Sequence, residues 1–409
     1  MFLEEIIKNF FNMESKIVSS ASGKRGDNIR SDCYFEIKLK KSGGIKTIIN
    51  NNTVSIYNEV NRKFINDMCH FFALKNAEIL FEDSGALPFV IAARFESAIN
   101  KLYPQNQKEF LLPFNKRNLY HSSKNCLRRS RLYLPGNEPK FFINAGLHKP
   151  DGIILDLEDS VSYSEKHSAQ LLVRNALRSV DFYGAERMIR INQLPAGLKD
   201  LKYIVPNNVH VILIPKCETA QQVIDVENEV IRIKKENNIR NEIYYMPIIE
   251  SALGTINSYE IATASPNICA LAIGLEDYTA DIGVQRTSEG KESLFARSMI
   301  INAAKASSIQ AVDSVYSDIG DMEGLRESIL EAKSLGFEGK GCIHPRQIAI
   351  VHENFAPTPD ELERAQEIVS AYEEAEKQGL GVVSLGSKMI DAPVVKRAQR
   401  TIQLAELMS

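Results

Sequence analysis

The chain has 409 residues, 44% of them hydrophobic and 25% charged, with a formal net charge of −3 and a pI near 6.2. That length exceeds one ordinary core and suits a barrel of about 250 residues plus a smaller unit, and the composition argues against a disordered or fibrous chain. The near-neutral charge leaves no global field for nucleic acid, and no apolar run reaches the ~20 residues of a membrane span, so neither is an expected partner.

The opening segment MFLEEIIKNFF has acidic residues where a secretory leader needs positive ones, and its apolar positions recur at helical spacing. Residues 15–103 alternate strand-like and helix-like stretches (CYFEIKLK, GGIKTIIN, an amphipathic segment from Asn58 to Leu74, AEILFED, ALPFVIAARFESAIN), which predicts a small α/β unit. Residues 104–127 are polar and aperiodic and carry Pro104 and Pro113, the composition of a linker. The cysteines, Cys33, Cys69, Cys126, Cys217, Cys269 and Cys342, are scattered without paired spacing. Free packing thiols in a reducing compartment are expected, and with them a cytoplasmic location.

From Arg129 onward short β-branched apolar runs alternate with longer amphipathic stretches. There are eight runs: RLYL (131–134), GIILDL (152–157), MIRI (188–191), VHVILI (209–214), IYYMPII (243–249), ICALAI (268–273), IQAV (309–312) and GCI (341–343), the last the weakest. Such a count predicts a (β/α)8 TIM barrel over residues 128–357, because a doubly wound sheet usually has about five or six strands. Residues 358–409 add the helical stretch PTPDELERAQEIVSAYEEAEKQG, a turn or hinge in GLGVVSLGS and a last helix. This C-terminal helical extension is a candidate lid or subunit-exchange element.

Barrel enzymes carry their chemistry at the carboxyl ends of the strands. Here the runs end in Asp156, Glu158 and Asp159; Arg190 and Asn192; Lys216 and Glu218; Glu250; Glu276 and Asp277; Asp313 and Asp318; and His344. Carboxylates gathered at one mouth repel each other unless a cation compensates them, and oxygen ligands without a His or Cys cluster suit magnesium, with manganese as its substitute. The competing account is an internal salt-bridge network, which suits Asp156 and Asp159 better than it suits Glu250 and Asp277. Arg190 brings a fork of donors suited to a carboxylate or an enolate oxygen, or simply pairs with Glu158. Glu158 is a catalytic candidate beside it, and Arg129, Asn192 and Lys216 are substrate-binding candidates. Arg128 and Arg129 either hold a phosphate or close the barrel, and His344 before Pro345 reads as structural rather than as a base. No P-loop, serine elbow or metal-spaced histidine pair occurs, which disfavours hydrolase chemistry.

The segments RRSRLYLPGN, DGIILDLEDSV, IRIN, IPKCETA, IIESALG, LAIGLEDY, EGKESLFARSMIINAA, AVDSVYSD, GKGCIHPRQI, FAPT and LGSKMIDAPVVKRA follow one another from Arg128 nearly to the C-terminus. In them the chain resembles the citrate lyase β-subunit of the HpcH/HpaI aldolase family, whose relatives include malyl-CoA and citramalyl-CoA lyases. The resemblance implies a magnesium-dependent carbon–carbon lyase that splits a β-hydroxyacyl thioester, borne on CoA or a CoA-like arm, into an α-keto acid such as oxaloacetate and an acetyl-type thioester. It implies Glu250 and Asp277 as metal ligands, Arg190 as the partner of the substrate and enolate oxygens, and Asp391 of KMIDAP as an acid/base delivered over a neighbouring subunit's site. Read without the resemblance, Asp391 is an ordinary helix N-terminal residue before Ala392 and Pro393.

The segments DSGALPFVIAARFESAI and GDNIRSDCYFEI resemble the acyl carrier (γ) subunit of citrate lyase. That family's prosthetic-group motif runs Gly, three residues, Ser, then Ser or Gly, then Asp. Counted from Gly26, Arg30 stands at the modified serine and Ser31 one place later. Ser31 is the attachment candidate, against a degenerate carrier kept for packing or docking. Expected partners are further copies of the chain, as a trimer or a multiple of it, and a citrate lyase α-like subunit. Two rivals stay open: a lyase acting on free malyl-CoA or citramalyl-CoA, and a non-catalytic scaffold subunit.

Overall fold

A computed structural model describes residues 18–51, 57–287, 289–377, 379, 382–385 and 388–408; the helical periodicity of MFLEEIIKNFF lies outside these residues. Strands β1 (Ser19–Gly23), β2 (Asp32–Leu39), β3 (Ile45–Asn51) and β4 (Ala77–Ser84) form a sheet in the order β1-β2-β4-β3, accompanied by helices α1 (Asn58–Phe71) and α2 (Pro88–Leu102). Strict alternation in DCYFEIKL turns Cys33, Phe35 and Ile37 of β2 to one fully buried face. Phe35 meets Phe81 and Phe95 there, at ring-centroid distances of 4.7 and 5.3 Å.

Helix α2 begins with Pro88 and is buried from Phe89 through Ile99. One side lies on β1 and β2 and the other on helix α3 (Lys166–Ser179) of the barrel, so it is apolar almost all round. Its buried charges are paired. Arg94 grips Asp32 at 3.0 and 2.7 Å and reaches Ser168 Oγ at 2.7 Å and the Asn137 carbonyl at 3.3 Å. Glu96 accepts two 2.8 Å hydrogen bonds from Arg174 of α3. The stretch 104–127 is strapped down: Asn118 is fully buried and the Tyr120 hydroxyl donates to the Ala185 carbonyl at 2.6 Å.

Strands β5 (Ser130–Pro135), β6 (Gly152–Asp156), β7 (Glu186–Arg190), β8 (Val211–Ile214), β9 (Tyr244–Ile249), β10 (Ala270–Ile273), β11 (Gln310–Asp313) and β12 (Gly339–Cys342) close into a parallel barrel, with β12 pairing back onto β5. Each overlaps one of the predicted runs, GCI included. Ile154, Met188, Leu213, Met246, Ile248 and Val312 pack in an inner core, while Leu132, Ile153, Leu155, Ile189 and Ile212 face the surrounding helices. Those helices include α4 (Ala220–Glu236), α5 (Leu275–Asp281), α6 (Leu294–Ala306), α7 (Met322–Leu335) and α8 (Arg346–Phe355). Thr219 and Gln222 start α4 with a capping box, and Gly336, at φ 112°, ends α7 in the left-handed conformation. All six cysteines are free thiols.

The tail comprises α9 (Pro359–Lys377), an antiparallel pair of β13 (Val383–Leu385) and β14 (Lys388–Ile390), and α10 (Ala392–Met408). Part of GLGVVSLGS, read as a turn, is therefore strand: its β-branched Val383 pairs with Ile390. The tail folds over the floor of its own barrel, at the amino ends of the strands. Arg400 lies 2.8 Å from Glu338, just ahead of β12, and Leu404 and Met408 share a cavity with Arg129 and Phe337. No helix among the described residues is long and apolar enough to cross a membrane.

Candidate active site

The strand ends converge on a cavity of about 370 Å³ whose lining includes Tyr133, Asp156, Arg190, Glu250, Gly274 and Asp277. Glu250 follows β9 directly and is 5% exposed. The Lys216 N–H donates to its Oε1 at 2.6 Å, aimed there because Lys216 holds the left-handed conformation, φ 47°, which costs a lysine some strain. A Cβ on Gly274 would lie 2.4 Å from Glu250 Oε2, so the residue after β10 has to lack a side chain for the carboxylate to sit where it does. Burial first, with the Glu158 and Asp277 charges added, pushes the Glu250 carboxyl up to about 8, against the pull of the Lys216 N–H and of Arg190.

Asp277 projects from the first turn of α5 into the same cavity. Among the described residues no hydrogen bond or ion pair engages its carboxylate. Nor is there, among them, a group of three or more His, Cys, Asp or Glu side chains arranged to hold a metal. Two oxygen donors sharing one cavity, one buried and the other without a basic partner, fit magnesium, which keeps water or substrate in its remaining positions.

Arg190 is 15% exposed and is held from behind. Its Nε and Nη2 clasp Asp156 at 2.6 and 2.8 Å, and Nη1 lies 3.0 Å from Glu158. Burial works against the Asp156 anion, but the Arg190 fork and the Ser160 hydroxyl outweigh it and hold its pKa below the ordinary carboxylate value. Each terminal nitrogen of Arg190 keeps a further N–H, and the guanidinium stands 5.6 Å from the centre of the Tyr133 ring, so its free edge borders the cavity.

The other expected residues spread around this centre. Glu158 stands behind it, between Arg190 and Lys216 Nζ at 3.0 and 3.1 Å, and is absent from the cavity lining; burial raises its carboxyl. Lys216 reaches Glu158 and, at 3.5 Å, Asp159. Asn192 is turned away and tied to Asp200 by its backbone at 2.7 Å and its amide at 2.9 Å. Arg129, a substrate-binding candidate by sequence, sits at the opposite end of the barrel, where Asp151 takes its Nε and Nη2 at 2.9 and 2.8 Å; it closes the floor, because it precedes β5. His344 accepts a hydrogen bond from the Arg346 N–H at 3.2 Å, a structural role. Asp391 caps α10, taking the Val394 N–H at 3.2 Å. Ser31 precedes β2 with φ 55° and donates its N–H to the Ser84 carbonyl at 2.9 Å.

Gly274, Tyr133 and Arg131 line the cavity and were not singled out from the sequence. The inward alternation of β5 was the available signal for the last two.

Residues 129–345 match the family described as HpcH/HpaI aldolase/citrate lyase, and residues 25–102 match the acyl-carrier family described as malonate decarboxylase delta subunit (MdcD). The chain is 42% identical over 282 residues to the citrate lyase subunit beta of Leuconostoc mesenteroides subsp. cremoris, covering 68% of this chain and 93% of that protein. It is 32% identical over 293 residues to the mitochondrial citramalyl-CoA lyase of Mus musculus, covering 68% of this chain and 86% of that one. The crystal structure of CitE from Mycobacterium tuberculosis in complex with magnesium, acetoacetate and coenzyme A superimposes with a TM-score of 0.58 at 27% identity, covering 69% of this chain and all of that one. With an acidic barrel mouth, a family model spanning more than half its length and such relatives, the chain belongs to the HpcH/HpaI aldolase/citrate lyase family.

Proposed function

We propose that the protein is a magnesium-dependent carbon–carbon lyase that cleaves a β-hydroxyacyl thioester into an α-keto acid and an acetyl-type thioester. The observation that carries this reading is the meeting of Glu250 and Asp277 at one cavity beside Arg190. Bound by those two carboxylates, magnesium would supply Lewis acidity toward the hydroxyl and carboxylate oxygens of the substrate. The hydroxyl gives up its proton to the Asp391 carboxylate as its C–O bond becomes the keto carbonyl, and the electron pair of the broken C–C bond passes to the thioester half. Arg190, preorganised by Asp156 and Glu158, takes the charge developing on oxygen with its free N–H groups. Glu158 acts as a positioning residue, holding Arg190 and Lys216 in place. The carbon left behind takes a proton from Asp391.

Asp391 starts a helix that lies on the floor of its own barrel, which favours delivery by a second copy of the chain and hence an oligomer, a trimer or a multiple of it. The N-terminal unit is assigned as a carrier-like domain over residues 15–103, joined by 104–127 to the lyase domain 128–357 and the extension 358–409. Ser31 is its attachment candidate, and Arg30 in the motif position favours free CoA thioesters as the second reading. The six free thiols suit the cytoplasm.

The test is a product screen against citryl, malyl and citramalyl thioesters with and without magnesium, on the natural chain and on Asp277→Asn. Keto acid release that needs magnesium and falls about 1,000-fold in the variant is expected; an undiminished rate removes the metal assignment.

A further inference from the structure

Strand β5 turns Arg131, Tyr133 and Pro135 inward, and Arg131 is 1% exposed. For a fully buried guanidinium it is poorly satisfied. Nη1 meets the Met246 sulfur at 3.3 Å, Nη2 the main-chain carbonyl of Asp313 at 3.0 Å, and Nε has no partner. The Asp313 carboxylate is engaged elsewhere, by Lys340 at 2.6 Å and Arg297 at 3.3 Å, and Arg297 also takes Glu331 at 2.9 Å. In this cluster the three cations Arg131, Lys340 and Arg297 face the two carboxylates Asp313 and Glu331, which leaves one positive charge in excess. An arginine does not shed its proton to escape burial, and a buried charge without a counter-ion is unfavourable. A fold that keeps one has a use for it or tolerates a penalty.

The place of the charge indicates the use. Arg131 borders the cavity that holds Glu250, Asp277 and Arg190, but it enters from low in β5, below Tyr133. A thioester arm must come in through the mouth, so the group that meets Arg131 is the inner end of the substrate, the keto-acid half. The cavity that Arg131 borders is otherwise walled in part by the apolar Ile248, Ile273, Val315 and Ile343, with Ser314 and Asp313 also in its lining.

Resting on the lyase reading, we propose that Arg131 is a specificity-determining residue that receives a second carboxylate on the keto-acid half. It thereby selects a citryl-type thioester, whose cleavage releases a dicarboxylate, over thioesters that release a monocarboxylate keto acid. The unpartnered Nε–H of Arg131, together with the second N–H of Nη2, is the kind of donor pair a carboxylate takes.

Arg131→Met keeps a long flexible side chain and removes the charge; Arg131→Lys keeps the charge without the fork. With magnesium present, kcat/KM for a citryl thioester should fall about 100-fold in Arg131→Met while that for a citramalyl thioester changes less than about 3-fold, with Arg131→Lys between. Binding gives a second readout. Oxaloacetate should raise the Tm of the natural chain and not that of Arg131→Met, whereas pyruvate should act alike on both. Arg131→Met should itself melt no lower than the natural chain, because it relieves a buried unpaired charge. Equal losses on both thioesters, or an oxaloacetate shift retained by Arg131→Met, overturn the proposal. A natural chain that prefers citramalyl thioester overturns it and leaves the lyase standing; one that cleaves no thioester sinks the lyase reading itself.

Discussion

Arg174 and Glu96 face each other across the join between the N-terminal sheet unit and the barrel, through two hydrogen bonds of 2.8 Å, with neither side chain more than 1% exposed. Removing one partner leaves the other charged and buried, so Arg174→Leu or Glu96→Leu should each destabilise the protein by about 3–5 kcal/mol. The double variant should recover most of that. Urea midpoints of the four proteins check it, and additive losses would mean that the pair is not coupled.

Gly274 has ordinary backbone angles, φ −110° and ψ 99°, so an alanine there is conformationally acceptable. Its only consequence is steric, because the new Cβ would sit 2.4 Å from Glu250 Oε2. Gly274→Ala should weaken magnesium binding by at least about 10-fold with the circular dichroism spectrum unchanged. Calorimetric titration with magnesium reads the effect directly, and native affinity would show that the carboxylate need not stay where it is.

If Asp391 serves a neighbour's site, two dead variants should revive each other. Asp277→Asn and Asp391→Asn, each inactive alone, should give about a quarter of natural activity when unfolded together in equal amounts and refolded, since a working site then needs an intact mouth and an intact tail from different chains. A mixture as inactive as its components would place Asp391 in the same chain as the site it serves, or out of the chemistry.

His210 titrates far from the mouth. Nδ1 accepts the Arg187 backbone N–H at 3.2 Å, and Nε2 lies 2.6 Å from Arg187 Nη2 and 3.0 Å from the Tyr120 carbonyl oxygen. Burial first and then the Arg187 charge hold its pKa down to about 3. The unfolded chain, with a histidine pKa of about 6.5, therefore binds the proton first, and stability present above that value is lost as pH falls. Between pH 8 and pH 5 the loss from this residue should be about 2 kcal/mol. His210→Asn, which keeps an acceptor near Nδ1, should show a denaturant midpoint that much less dependent on pH; equal slopes would mean that His210 is not the group responsible.

The barrel strands were legible because a fully buried parallel strand has to be a β-branched apolar run, and IYYMPII or ICALAI can be little else. That Glu250 and Asp277 lie at one mouth was legible for a related reason, since residues that follow barrel strands lie at its carboxyl end. Asn192 and Arg129 misled because spacing along a strand does not say which way a polar side chain turns after the strand ends, nor that a residue just before β5 belongs to the floor. The tail was half legible. Its helical periodicity is plain in PDELERAQEIV, but its seat on Glu338 depends on a partner in another element. Arg131 was hidden in an arginine-rich string whose members do three jobs: Arg128 pairs with Glu186, Arg129 with Asp151, and Arg131 with no carboxylate.

Arg94 holds Asp32, the residue after Ser31, and binds Asn137 and Ser168 of the barrel in the same grip. The start of β2, an inner strand of the sheet, is in effect bolted to the rim. A tether rooted at Ser31 would have a stationary pivot, so the concentration of its cargo at the entrance would be set by the length of the tether and not by the wandering of a domain. Such a post is suited to feeding one basin rather than to carrying loads between distant ones.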